Sequence, residues 1–398
     1  MNLLILTPQR PYPTHQGTAI RNFYIIAELA KRHQISLLTF LEADQSPGHG
    51  PLEDLCRSID ILPAPTRSTL TRLKQLVFTN RPDMSWRLWS HDFDRRLRQL
   101  LQENAFDVVQ IEGIEMSPYL PTIKELAPQT KIIYDDHNAE WLLQYRNFTT
   151  DLKNPGRWIA AAYSFIQTQR LKRYERRVCR QAKGVIAVSE ADKEAILQLD
   201  PALKIALVPN GVDLKLHSQH PAQSIPVDLV FTGKMDYRPN IDAMLWFGQE
   251  VFPLIQKERP QSTLAIVGQR PHPRLGPLRE NRAITITGYV DDVRPYIAGA
   301  AVYIAPFRVG GGTRLKLLEA MAMRKPIVAT GVGAEGFPIT NNKEMILVDD
   351  PALMTKAILR LLDNPQICHE LGKNACQFVS THYAWEALVP AMEALYEG

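Results

Sequence analysis

Cysteine is scarce in this chain. Four residues in 398 (Cys56, Cys179, Cys368 and Cys376) are scattered, with no C-x-x-C pair. A disulfide framework or a zinc site is therefore not expected, and reduced thiols in a cytoplasmic protein are. Long apolar runs are lacking too. Charge-free stretches such as Ala298–Phe307 fall far below the roughly 20 residues that a spanning helix needs, so no membrane span is expected. Leu3–Leu6 is too short for the apolar region of a signal peptide, and Met1-Asn2 offers no basic flank. No H-E-x-x-H, P-loop or G-x-S-x-G occurs, which argues against zinc hydrolase, NTPase and serine hydrolase chemistry. Neither sign of charge dominates. Lys plus Arg is 46 and Asp plus Glu is 42, a net of +4, so a whole-chain field built for nucleic acid is not expected.

What is present is an ordinary globular composition, 45% apolar and 22% charged, arranged as short apolar runs alternating with helical stretches. The runs in the first half are Leu3–Thr7, Ile35–Phe40, Ile59–Pro63, Asp107–Ile111, Lys131–Tyr134, Gly184–Ser189 and Ile205–Val208. Leu229–Gly233, Thr263–Gly268, Ile284–Gly288, Ala301–Pro306, Pro326–Thr330 and Met345–Val348 follow in the second. Most are continuous Val/Ile/Leu segments, as parallel strands covered on both faces require. Two such blocks predict an α/β protein of two doubly wound, Rossmann-like domains, 1–208 and 209–382. The break falls in the Pro- and Asn-Gly-containing stretch that opens at Pro209. In such sheets ligands bind beyond the carboxyl ends of the strands, so residues just after strands are the candidates.

The strongest motif is Val309-Gly310-Gly311-Gly312-Thr313-Arg314-Leu315-Lys316-Leu317-Leu318-Glu319, between a strand and a helix. Glycines allow a tight turn that presents N–H groups, and a helix N-terminus beyond them favours an anion. Thr313 offers a hydroxyl and a cap, Arg314 and Lys316 add positive charge, and Glu319 is placed to accept hydrogen bonds from sugar hydroxyls. The plain alternative is a flexible turn and a capped surface helix with Lys316 and Glu319 as an i,i+3 pair. His137 follows a strand, between Asp136 and Asn138. Gly17 and Arg21 lie between the first strand and the first helix, where a turn glycine and a helix-end arginine are an equal reading. The Asp135-Asp136, Asp291-Asp292 and Asp349-Asp350 pairs suggest a metal only superficially, because neighbours on a strand point to opposite faces. Asp349-Asp350 before Pro351 reads as a turn and helix cap.

The glycine-rich segment resembles the donor-binding motif of the retaining GT-B glycosyltransferases of family 4, also called group 1. Other landmarks resemble that family in order: Pro11-Tyr12-Pro13 with Gly17-Thr18-Ala19-Ile20-Arg21, Asp135-Asp136-His137-Asn138, Val208–Asp213, Phe231-Thr232-Gly233-Lys234-Met235 and Gly288-Tyr289-Val290. Gly311 stands where the family pattern has the first of two glutamates, and Glu319 matches the second.

The resemblance implies two domains facing across a cleft, the first for the acceptor and the second for a nucleotide-sugar. A last helix, 383–398, would cross back onto the first domain. It implies sugar transfer with retention of configuration by a hexosyltransferase-type enzyme, in exopolysaccharide or glycolipid synthesis. His137 would act near the reacting sugar carbon. Gly17, Lys234, Val290, Gly311, Gly312, Thr313, Arg314, Lys316 and Glu319 would bind the donor, and Arg21 would lie on the acceptor side. No metal or cofactor is expected. Another GT-B-shaped enzyme, such as a nucleotide-sugar epimerase, or a non-catalytic nucleotide-sugar-binding protein is the alternative. Two basic stretches, Arg157–Lys183 and Arg67–Arg98, would face an anionic inner membrane surface or be solvated helix faces. No aromatic-interleaved basic module for nucleic acid is present.

Overall fold

Strands that are apolar on both faces can only sit in the middle of a layered domain, and the computed structural model shows two such sheets. It describes residues 1–14, 17–41, 50–153, 155–218, 223–309 and 314–397. The chain divides into two compact units, Met1–Pro209 with Leu388–Gly398, and Asn210–Ala387.

In the first unit seven strands, β1 (Asn2–Thr7), β2 (Gln34–Leu41), β3 (Ser58–Pro63), β4 (Val108–Glu112), β5 (Lys131–Asp136), β6 (Gly184–Ala187) and β7 (Ile205–Leu207), form one parallel sheet in the order β3-β2-β1-β4-β5-β6-β7. Its order reverses between β1 and β4, which pair from Leu3↔Val108 to Leu6↔Ile111. One packed face gathers Leu4, Leu6, Phe40, Phe93, Val109, Ile111, Tyr119 and Tyr134. The C-terminal part of the Trp385–Glu397 helix belongs to this unit. There Glu393 accepts from Arg32 at 2.6 Å and pairs with His33 at 2.7 Å, and Lys131 Nζ donates to the Tyr396 carbonyl at 2.7 Å.

The second unit repeats the plan with β8 (Val227–Thr232), β9 (Leu264–Val267), β10 (Ile284–Ile286), β11 (Ala300–Ala305), β12 (Ile327–Ala329) and β13 (Ile346–Leu347), parallel in the order β10-β9-β8-β11-β12-β13. Its switch point is between β8 and β11, paired at Leu229↔Val302 and Val230↔Tyr303. The Tyr303 hydroxyl, buried in the sheet, meets Thr232 Oγ1 at 2.7 Å. Asp350 caps the Pro351–Asp363 helix by accepting from Leu353 N at 2.9 Å, and Asp349 accepts from Gly331 N, a turn and a cap.

Candidate functional site

Each sheet brings polar residues together at the carboxyl ends beside its switch point, where open α/β sheets take ligands. In the first unit β4 ends on Glu112 and β5 on Asp136, and register sets Glu112 opposite Asp135. His137 is the next residue. Its Nε2 lies 2.8 Å from Glu112 Oε2. Glu112 Oε1 accepts from Gln110 Nε2 at 2.5 Å, and Gln110 Oε1 accepts from the Tyr396 hydroxyl. All of Gln110, Glu112 and Tyr396 are buried. Burial disfavours a charged His137 ring, but the Glu112 hydrogen bond and the Asp135 and Glu112 charges outweigh it and hold its pKa above the ordinary histidine value. Gly113, at φ +80°, passes beneath the ring, and a Cβ there would stand 3.5 Å from His137 Nδ1.

Arg21 is placed differently from an open acceptor-side cation. It is 2% exposed. Its Nε and Nη2 hold the Asp135 carboxylate at 2.8–3.1 Å, and its Nη1 donates to the Val208 and Pro209 carbonyls. Glu112, Asp135 and His137 offer ligand atoms within 4.8 Å of one another. Their oxygens are already engaged by Gln110, His137 and Arg21, so the donor set fits a hydrogen-bond network better than a cation site. Asp136 points to the other face, as alternation on a strand dictates. It accepts from Tyr134 at 2.8 Å and hydrogen-bonds Glu175, which in turn accepts from the Glu140 and Trp141 amides. Burial raises the pKa of Asp136 well above the carboxylate range and that of Glu175 to about 7, so the two share a proton and tie down the segment that carries His137.

In the second unit the ends of β8 and β9 cross tightly. Gly233 and Gly268 adopt φ +154° and +152°, and a Cβ on Gly268 would stand 1.8 Å from the Gly233 carbonyl. Lys234 follows with its side chain exposed, and its carbonyl accepts from Asn240 Nδ2 at 2.8 Å. Asn240 Oδ1 in turn takes a hydrogen bond from Lys316 Nζ at 2.9 Å. Lys316 is turned inward, 4.8 Å over the Phe231 ring and 5.1 Å over Phe307, and so is not half of a surface pair. Burial and the neighbouring Arg314 charge lower its pKa to about 7, against the pull of Glu319. Arg314 lies 3.9 Å over Phe307, donates to the Val332 carbonyl at 3.3 Å and has a buried Nε with no partner among the described residues. Among the described residues neither cation forms an ion pair. Glu319 is half-buried on the same helix, Leu315–Ala322, and burial raises its pKa against the opposing charges of His217 and Lys316.

Val290 is half-buried against the second core, beside exposed Tyr289. Gly17 opens the Gly17–Leu29 helix, and a side chain there would meet open space. Gly311, Gly312 and Thr313 lie outside the described residues. Residues that sequence reasoning missed are Gln110, Glu112, Glu175, Asn240 and Tyr396. A polar residue ending an apolar strand was a usable signal for Glu112. Asn240 and Tyr396 reach their partners only through the fold.

A family model described as "Glycosyltransferase Family 4" matches residues 16–216, and one described as "Glycosyl transferases group 1" matches 226–364. A Klebsiella pneumoniae protein described as an uncharacterized 44.6 kDa protein in the cps region is 26% identical over 164 residues, 39% of this chain and 42% of that protein. The lipopolysaccharide core biosynthesis mannosyltransferase LpcC of Rhizobium leguminosarum is 30% identical over 115 residues, 28% of this chain and 32% of that one. The chain thus spans less than half the length of these two relatives. Among solved structures, Anabaena HepE in complex with UDP superposes with a TM-score of 0.62 at 16% identity over 100% of both chains, a likeness of fold.

Proposed function

Because the chain belongs to glycosyltransferase family 4, we propose that it transfers a sugar from a nucleotide-sugar to an acceptor hydroxyl with retention of configuration, in exopolysaccharide or glycolipid synthesis. One observation carries the reading. Lys316 and Arg314 are partly or wholly buried cations at the carboxyl end of the second sheet, held by aromatic faces and neutral oxygens. Such an arrangement leaves positive charge for an anion of the size of a diphosphate. Lys234 adds a third cation on the β8 end, and Glu319 accepts from the ribose hydroxyls. Gly311, Gly312 and Thr313, outside the described residues, are assigned to the donor as well, and Val290 borders the base. A UDP-bound neighbour of the same fold supports a nucleoside diphosphate as the leaving group.

His137 hydrogen-bonds the sugar undergoing transfer or its leaving phosphate, as a donor whose charge and orientation Glu112 sets. Arg21 acts through Asp135 and so positions that end of the first sheet. We assign charge neutralisation at the leaving group to these fixed cations rather than to a divalent metal. Activity should therefore survive excess EDTA. Complete loss in EDTA with recovery on adding Mg²⁺ or Mn²⁺ would refute that assignment.

The described residues contain no helix long and apolar enough to cross a membrane. Peripheral attachment to an anionic inner membrane surface is assigned to Arg157–Lys183. There Lys172, Arg173, Arg176, Arg177 and Arg180 are exposed while Leu171, Val178 and Cys179 face inward.

The test of the main reading is a calorimetric screen of UDP-, GDP- and ADP-sugars, with release of free sugar measured without acceptor. One nucleotide series should bind and its sugar should be released slowly. Tight binding with no release, even with acceptors present, would favour a non-catalytic binding protein.

A further inference from the structure

A helix on a domain surface normally buries one stripe. The Thr69–Phe78 helix of the first unit buries none of its residues. Its Leu70, Val77 and Phe78 are 72%, 64% and 83% exposed, and Leu73 is more than half exposed. The Trp158–Gln181 helix begins in the same way, with Trp158 61% and Ile159 91% exposed. The two helices are neighbours. Arg170 Nη2 donates to the Leu76 carbonyl at 2.9 Å, and a cavity of about 170 Å³ between them is lined by Leu73, Leu76, Trp86 and Tyr163. Leu70, Leu73 and Val77 recur at i, i+3 and i+7 on one side of their helix, and an exposed apolar stripe marks an interaction site.

The charges around this face say what it meets. From Ala64 to Ser90 the chain carries Arg67, Arg72, Lys74, Arg81 and Arg87 against the single acid Asp83, which Arg67 and Arg72 share. Arg72, Arg81 and Arg170 line the cavity, and Arg170 Nη1 is enclosed without a hydrogen-bond partner. An apolar stripe beside a cavity lined by three guanidinium groups fits an occupant that is apolar and anionic at once, which is the headgroup boundary of an acidic bilayer. A second copy of the chain fits poorly, because an isologous contact would set this cationic rim against itself.

We propose that this face docks on an anionic bilayer, with Leu70, Val77, Phe78, Trp158 and Ile159 entering below the headgroups and a lipid phosphate meeting Arg72 and Arg170. The inference rests on the membrane reading above and deepens it. Attachment becomes insertion of an apolar tip, where a charge-only reading would leave the Arg157–Lys183 face to hold the surface alone.

The full chain is sedimented with phosphatidylcholine vesicles and with vesicles carrying a quarter phosphatidylglycerol. Wild type is compared with a Leu70→Ser, Val77→Ser, Phe78→Ser variant and with an Arg173→Glu, Arg176→Glu, Arg177→Glu variant. All six side chains are exposed, so unchanged thermal melting is expected of both. Binding to the anionic vesicles should fall at least tenfold in the serine variant. Tryptophan emission should shift to the blue on binding, and the shift should vanish in Trp158→Phe. If the serine variant binds like wild type and only the glutamate variant is lost, insertion is overturned and attachment by charge stands. If wild type binds neither vesicle, both fall. If the serine substitutions abolish self-association in the ultracentrifuge and leave vesicle binding intact, the occupant is a second copy and the proposal is overturned.

Discussion

The two sheets share one strand order around their switch points and carry opposite chemistry at the ends of their strands. At the first, Glu112, Asp135, Asp136 and Glu175 are buried acids, each with its donor: His137 and Gln110, Arg21, Tyr134, and two backbone amides. At the second, among the described residues, Arg314 and Lys316 meet ring faces, a carbonyl and an amide oxygen and form no ion pair. A buried polar group that is fully answered makes a rigid support. A buried cation answered only by neutral groups is held at a cost that a bound anion would relieve. On the proposed reading, topology fixes where the ligand sits, and the completeness of pairing separates the scaffold from the binding groups.

The contrast breaks first at Arg21. Arg21→Leu leaves Asp135 buried without its counter-charge, and losing one partner of such a pair costs about 3–5 kcal/mol. The thermal midpoint of the first unit should fall steeply. A variant that melts like wild type would mean that the first network is not a scaffold. Lys316→Met should do the reverse. The pKa of Lys316 in the folded chain, about 7, lies below the ordinary lysine value of 10.5, so the unfolded chain binds more protons between those values. Wild-type stability therefore rises with pH across that window, and the rise should be missing in the variant. At neutral pH the variant should melt no lower than wild type, while turnover drops by about 10²–10³. A large loss of stability with activity retained would make Lys316 part of the scaffold.

Smaller effects sharpen the contrast. Glu319→Gln weakens a charge-assisted contact to ribose, which is worth about 1.5–3 kcal/mol, so nucleotide affinity by calorimetry should fall about 10–100-fold with the fold intact. Glu112→Gln keeps a hydrogen bond to His137 and removes the charge. Titrated by NMR, His137 should then lose protonation at a lower pH than in wild type, and turnover should fall about tenfold, with the limb of the pH profile set by His137 moving to lower pH. An unmoved profile would leave Glu112 as packing only.

Much of the fold was legible because parallel strands advertise themselves as continuous Val/Ile/Leu runs. β1 reads Asn2-Leu3-Leu4-Ile5-Leu6-Thr7 and is buried from Leu3 onward. Residue type told little about helices that bury no stripe. Thr69–Phe78 mixes apolar and basic residues and buries none of them, so it carried no signal beyond charge. The helical stretch from Arg238 to Glu258 carries a π-turn at Phe247–Val251, just before Pro253. Proline lacks the N–H needed to carry the ladder through. In the candidate site, residues that follow strands were visible from sequence, His137 and Lys234 among them. Their partners were not, since Asn240 meets Lys316 across 76 residues and Tyr396 meets Gln110 across 286. Arg21 illustrates the converse. It lies where a ligand loop was expected, yet its guanidinium is spent on Asp135 and two carbonyls.

The finest test of the contrast asks whether the second site is charged before its ligand arrives. With a pKa of about 7, Lys316 is half protonated at pH 7 and about nine-tenths neutral at pH 8. A diphosphate beside it favours the ammonium, so binding at pH 8 should draw in close to one proton per nucleotide. Linkage then requires the affinity for a nucleoside diphosphate to fall about fivefold between pH 7 and pH 8. Calorimetry at pH 8 in two buffers of unlike ionisation enthalpy reads the proton directly, and Lys316→Met should bring the uptake close to zero. At the first strand ends Arg21 and Asp135 instead lie against each other as a buried ion pair. Zero uptake by the wild-type chain would show that Lys316 is charged in the free protein, leaving the two strand ends to differ in geometry alone.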